Sequence, residues 1–244
     1  MERFTKGETY NIQEAIDESM PESIRGEKGA RMVYRQWASE HLLEIIQMHF
    51  LVSNGLILEG EPFPLTGNTD MWEEIRFYDV REGQTVIDVG AGIGGVSYLL
   101  AYTGISLQLY LTEIDELAYE FLFAQTDKMA SDQEAIQIQL VVAREKTLGL
   151  SEDLKADKIL MREVYHHLDY PYHVLADVKK HLSSGGTLIL VESVTDLEMN
   201  KKDGCRKALS LKKVKNEVTK NGFVLVGQKQ VYDRYVLLFQ LAKN

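Results

Sequence analysis

The sequence predicts a doubly wound α/β domain, a mostly parallel sheet closed by an antiparallel hairpin and preceded by a helical segment. Three observations carry the prediction. After Gly83, apolar β-branched runs alternate with helical stretches. The last two runs stand too close together for a crossover helix, so they must pair antiparallel. A glycine-rich turn follows the first run, at a strand-to-helix junction where open α/β sheets bind ligands.

Taken in order, residues 1–80 read as helices without strands. Residues 14–20 form a short amphipathic piece that stops near Pro21. Residues 29–53 carry Met32, Trp37, Leu42, Ile45, Ile46, His49 and Phe50 at near-helical spacing, with Asn54-Gly55 as a stop. Pro62, Pro64 and Gly67 mark a loop, and Asp70 with Glu73 has the spacing of a capping box. This segment is expected to act as a lid that recognises the substrate. Tyr34, Trp37 and Met48 either fill the core or touch a molecule beneath the lid. Strands are predicted at 85–89, 107–112, 136–142, 158–161, 187–191, 223–228 and 235–241. The first five are apolar enough to be buried on both faces of a parallel sheet.

Composition narrows the function. The chain has 244 residues, 45% hydrophobic and 26% charged, the profile of a core-forming globular protein. A formal charge of −10 disfavours a nucleic-acid partner, because phosphate binding draws on clustered Lys and Arg. The basic run from Lys201 to Lys215 reads as a solvated helix face. A single cysteine, Cys205, excludes an internal disulfide and a cysteine-based zinc site. Residues 1–10 hold no apolar signal core, and no run approaches 18 apolar residues. The expectation is a cytoplasmic enzyme.

The turn reads Val86-Ile87-Asp88-Val89-Gly90-Ala91-Gly92-Ile93-Gly94-Gly95. Glycines there let the backbone turn sharply and approach a ligand. Gly90, Gly92 and Gly95 satisfy the G-x-G-x-x-G dinucleotide fingerprint, whereas Gly90, Gly92 and Gly94 satisfy G-x-G-x-G. Asp88 bears on the choice, because a carboxylate at the carboxyl end of this strand suits an ammonium better than a pyrophosphate. The second strand runs into Glu113-Ile114-Asp115. Glu113 is placed to accept hydrogen bonds from two ribose hydroxyls, and Asp115 to cap the next helix.

Here the chain resembles the class I S-adenosylmethionine (SAM)-dependent methyltransferases, small-molecule type. Residues 86–95, 111–115, 157–169 and 182–192 match four family motifs in order and at familiar spacing, and the likeness runs from about residue 80 to the C-terminus. It implies a Rossmann-like seven-stranded sheet with a reversed last strand in residues 81–244, SAM as cofactor and S-adenosylhomocysteine as product. By position, Gly90, Gly92 and Gly94 would pass beneath the methionine moiety and Asp88 would act near its amino group. Glu113 would hold the ribose, and Ile114 would pack on the adenine. Arg144 stands where the family often has an acidic residue facing the adenine amine, and Glu163 follows the fourth strand at the same edge.

Glu163, Tyr165, His166 and His167 lie where open α/β folds bind ligands. A base is needed only when the acceptor loses a proton, and histidine suits that exchange near neutral pH. Adjacent residues point in different directions, so one of the two histidines faces the ligand, with His166 and Tyr165 the catalytic candidates; otherwise the pair caps or packs locally. No third ligand stands at a recognisable spacing, so no metal is expected. Two other readings stay open: an NAD(P)-dependent oxidoreductase and a non-catalytic SAM-binding protein.

Overall fold

The structure, a computed structural model, describes residues 20–26, 28–40, 69–101, 103–132, 136–193, 209–231 and 234–243. The first helices are α1 (Glu22–Arg25), α2 (Lys28–Glu40) and α3 (Thr69–Tyr78). The alternating part follows as β1 (Thr85–Val89), α4 (Gly95–Ala101), β2 (Leu107–Glu113), α5 (Glu116–Asp132), β3 (Ile136–Val142) and β4 (Ala156–Arg162). A single 3-10 turn, Tyr165–His167, precedes α6 (Pro171–His181), β5 (Leu182–Glu192), α7 (Leu211–Lys220), β6 (Phe223–Val231) and β7 (Arg234–Leu241).

The seven strands form one sheet in the order β3-β2-β1-β4-β5-β7-β6. Strands β1 to β5 run parallel, and β7 pairs antiparallel with both β5 and β6. The strand order reverses at β1, which lies between β2 and β4. The crevice above their carboxyl ends is the place where such a sheet accepts a ligand.

Strand side chains alternate between two cores. Val86, Leu160, Ile189 and Val191 face one cluster with residues of α4 and α5, while Ile87, Ile159, Met161, Leu188 and Leu190 face another with α6 and α7. This is why the central strands β1, β4 and β5 read as nearly unbroken apolar runs, buried on both faces, whereas β3 at the sheet edge has exposed positions. Strand β5 begins at Leu182, earlier than the predicted 187, because the Ser183-Ser184-Gly185-Gly186 stretch continues the strand and Leu182 pairs with Ala156. A Cβ on Gly186 would sit 3.0 Å from the Ala156 carbonyl oxygen, so this close pairing requires glycine.

In the helical segment, α2 begins at Lys28, one residue before the predicted 29–53, and is described as far as Glu40. Positions 41–53, including Met48, and positions 14–19 of the first predicted piece lie outside the described residues. Tyr34 and Trp37 are buried, with Trp37 6.2 Å from the Phe121 ring of α5, so these two aromatics fill the core between helices. Ser23 donates to Glu120 at 2.8 Å, tying α1 to the same helix. Glu73, read as half of a capping box, lies 3.2 Å from Lys229 of β6, and the side chain of Asp70, the other half, lies outside what is described. No described helix is long and apolar enough to cross a membrane.

One buried ion pair fixes α3 to the sheet. Arg162 Nε, at the end of β4, donates to Glu74 Oε1 at 2.8 Å, and the Tyr78 hydroxyl donates to the same oxygen. Glu74 is 2% exposed, and burial with the Glu74 charge holds the Tyr78 hydroxyl pKa well above its ordinary range. Removing one partner of such a pair strands the other charge. Glu74→Ala is therefore expected to lower unfolding stability by about 3 kcal/mol, measured by urea denaturation. A loss below about 1 kcal/mol would mean that Arg162 re-solvates freely.

Candidate active site

The glycine turn is built by backbone sign and close packing. Gly90, Gly92 and Gly94 have φ of 64°, 57° and 83°, in the left-handed region. A Cβ on Gly90 would meet Val164 Cγ2 at 2.8 Å, and one on Gly94 would meet Leu122 Cδ2 at 2.7 Å. At Gly92 nothing lies within 4 Å, so open space stands over the middle of the turn. Gly95 has neither a positive φ nor a near neighbour. The backbone thus singles out the G-x-G-x-G register over the dinucleotide one. The Gly90 contact also brings the segment after β4 directly against the turn.

Two acids predicted for this edge are engaged by the protein itself. Asp88, 4% exposed, accepts from Ser97 Oγ at 2.6 Å. Burial pushes its carboxyl up to about 6, with Glu113 raising it further while Ser97 and Arg162 oppose. Glu113 Oε2 accepts from Gly92 N–H at 2.7 Å, and its Oε1 accepts from Ile114 and Asp115 N–H at 2.7 and 2.8 Å. One carboxylate therefore joins the glycine turn to the end of β2. Asp115 Oδ1 accepts from Leu117 and Ala118 N–H, capping α5 as its position predicts. Ile114 is 52% exposed beside them. Arg144 is exposed in a tight turn with Thr147, next to Ala143, whose N–H donates to the Glu113 carbonyl.

The segment after β4 gathers the rest. Glu163 has φ 55°, a left-handed conformation that non-glycine residues adopt at a cost and mostly at functional sites. Its Oε1 accepts from Ser193 N–H and Oγ at 3.0 and 2.8 Å and from Arg234 Nε at 2.9 Å. His166 Nδ1 lies 2.6 Å from Glu192 Oε2, while Glu192 Oε1 accepts from Tyr165 N–H at 2.7 Å. The hydrogen bond to Glu192 raises the imidazole pKa above its ordinary value, with Glu163 adding to the effect and burial opposing it. Tyr165 packs in the core beneath, 2% exposed, and its hydroxyl donates to Glu217 of α7 at 3.1 Å. The fold assigns it to packing.

The expectation that no third ligand accompanies the histidines needs correction. Glu163, His166 and Glu192 present candidate ligand atoms within 4.8 Å of one another. Sequence spacing missed this because Glu192 arrives from another strand. Glu163 Oε1 is engaged by Ser193 and Arg234 and Glu192 Oε2 by His166, so the three groups also belong to one hydrogen-bonded network. Glu192, Ser97 and Arg234 were not singled out from the sequence. For Glu192 a signal existed: it ends an apolar strand in a carboxylate, as Glu113 does.

The buried Asp88 gives a test by pH. Its folded-state pKa is raised, so the folded chain holds the proton more tightly than the unfolded one. The stability this contributes is present below about pH 4 and is lost as pH rises through about 6. A rise from 3.8 to about 6 corresponds to roughly 3 kcal/mol. Asp88→Asn keeps an acceptor for Ser97 and does not titrate. It is expected to match the parent near pH 4 and exceed it by up to roughly 3 kcal/mol at pH 7.5, read from paired urea melts. A difference that does not change with pH would refute the buried-charge account.

Comparison with known proteins places this arrangement. A family model described as "Methyltransferase domain" matches residues 70–226. The mitochondrial ubiquinone biosynthesis O-methyltransferase of Candida albicans is 32% identical over 114 residues, covering 43% of this chain and 31% of that relative's length. The chain thus aligns with under a third of that protein. A SAM-dependent methyltransferase from Aquifex aeolicus superposes with TM-score 0.61 at 18% identity, over 70% of this chain and 89% of that one. The glycopeptide N-methyltransferase MtfA, complexed with SAM, superposes with TM-score 0.56 at 13% identity, over 70% and 87%. At such identities the two structures speak to fold alone. The family match runs from α3 into β6 and spans both the glycine turn and the strand reversal, and on that ground the chain belongs to the class I SAM-dependent methyltransferases.

Proposed function

We propose that this chain transfers a methyl group from SAM to a hydroxyl oxygen of a small-molecule acceptor, with His166 as the base. The observation that carries the reading is the seat of His166. It is held 2.6 Å from a buried carboxylate, two residues after the Val164 side chain that touches the glycine turn. Methyl transfer needs a base only where the acceptor gives up a proton. The Candida albicans relative carries an O-methyltransferase name, which agrees in the acceptor atom.

The residues present fit the cofactor. The open space over Gly92 admits a ligand against the backbone. Asp88 places negative charge beneath an ammonium, and exposed Ile114 offers an apolar face to the adenine ring. Glu113 meets the ribose hydroxyls, for which the Gly92 N–H gives way or shares. When bound, SAM supplies an electrophilic methyl whose bonding pair returns to sulfur, leaving S-adenosylhomocysteine. His166 Nε2 takes the hydroxyl proton as the acceptor oxygen bonds to carbon, and later releases it to solvent. We assign residues 1–80 the covering role, since displacement at a sulfonium favours a site closed to water.

Calorimetry is expected to give micromolar-range binding of SAM with no comparable binding of NAD. Glu113→Ala should weaken SAM roughly tenfold or more, since each lost charge-assisted hydrogen bond is worth about 1.5–3 kcal/mol. It should also lower stability, because three backbone N–H groups lose their acceptor. His166→Gln should slow release of S-adenosylhomocysteine from a panel of small phenols by about 10²-fold or more with SAM affinity unchanged. Full turnover in that variant would sink the base assignment, and preference for NAD would sink the cofactor assignment.

A further inference from the structure

We infer that Glu192 is a positioning residue: it fixes His166 in the tautomer that carries its proton on Nδ1, so that Nε2 presents its lone pair to the acceptor. The inference rests on the reading of His166 as the base and goes beyond it, because a histidine at this edge could as well hold its proton on the wrong nitrogen.

The geometry leaves Glu192 one arrangement. Its side chain is 1% exposed at the end of β5. One oxygen is taken by a donor that cannot rotate away, the Tyr165 backbone N–H at 2.7 Å. The other faces His166 Nδ1 at 2.6 Å, a short hydrogen bond. A carboxylate only accepts, so the imidazole must donate from Nδ1 and leave Nε2 bare. The same contact anchors both ends of the base, since Tyr165 and His166 lie in one 3-10 turn. Other charged groups at the ring are Glu163, from the end of β4, whose charge is partly met by Arg234 of β7, and the adjacent His167 ring, 3.9 Å between centroids. None of these accepts from His166 Nδ1 in the structure.

Glu192→Gln separates this role from mere packing. A glutamine has one acceptor oxygen, which the Tyr165 N–H claims. Its NH₂ then faces His166 Nδ1 as a donor, which forces the ring proton onto Nε2. The experiment is ¹⁵N NMR of the histidine rings across pH, with His166 assigned from the signal lost in His166→Gln. In the unsubstituted protein, neutral His166 is expected as the Nδ1–H tautomer with a pKa above the ordinary histidine value. In Glu192→Gln the Nε2–H tautomer should replace it, with proton affinity at least about tenfold lower, and turnover should fall at every pH because Nε2 no longer offers a lone pair.

An Nε2–H tautomer in the unsubstituted protein overturns the inference, and that measurement does not depend on the folding of Glu192→Gln. An unchanged tautomer and pKa in Glu192→Gln overturn it as well. Spectra and turnover should not change in EDTA. Turnover lost to chelator and restored by Mg²⁺ would replace the proton network with a cation held by Glu163, His166 and Glu192. Should His166→Gln retain turnover while the tautomer is as stated, the base reading fails and the Glu192 geometry stands.

Discussion

Carboxylates at the carboxyl ends of the strands must each be satisfied, and the loops of the ligand-binding edge are shaped by that demand. Asp88 takes a serine from α4, Glu113 takes three backbone amides, Glu163 takes Ser193 and Arg234, and Glu192 takes a backbone amide and His166. A buried charge left without partners costs several kcal/mol, so none of these loops can drift without stranding one. Except for the Ile114 and Asp115 amides on Glu113, the partners come from residues distant in sequence, and the carboxylates therefore act as staples. The edge is held open by its own charges and still offers a ligand preformed acceptors.

The sign of the edge matters as much as its geometry. Asp88 and Glu113 bring negative charge beside the glycine turn, which disfavours phosphate and favours a cationic ligand, whereas Glu163 and Glu192 are met by Arg234 and His166. A sulfonium with an ammonium is such a ligand, and a pyrophosphate is not. The positive φ at Gly94 rather than at Gly95 points the same way. Charge and backbone thus discriminate between two readings that the letters of the turn leave equal.

The sheet was legible because its signal is local. Runs such as 85–89 and 136–142 are rich in apolar, β-branched residues, and their predicted limits coincide with the observed strands. The error at β5 is local as well: Ser183-Ser184-Gly185-Gly186 has turn chemistry, but pairing with β4 overrides it. Glu73 also meets Lys229, far along the chain, a contact that no local pattern announces. The candidate site was half legible. The turn and Glu113 follow from position on strand and helix. The cluster of Glu163, His166 and Glu192 joins residues up to 29 positions apart (192 minus 163) by the register of two parallel strands, which no spacing rule in the sequence encodes.

The reversed β7 has a consequence for how such a protein diversifies. Every parallel strand delivers its last residue to the ligand edge, but β7 delivers its first, which is how Arg234 comes to stand on Glu163. The first residue of β7 therefore stands at that edge, while the strand itself is anchored in the sheet between β5 and β6. A substitution at position 234 changes the charge there without disturbing the glycine turn or any crossover helix. Selection for a new acceptor has at the start of that reversed strand a place to vary charge independently of the turn.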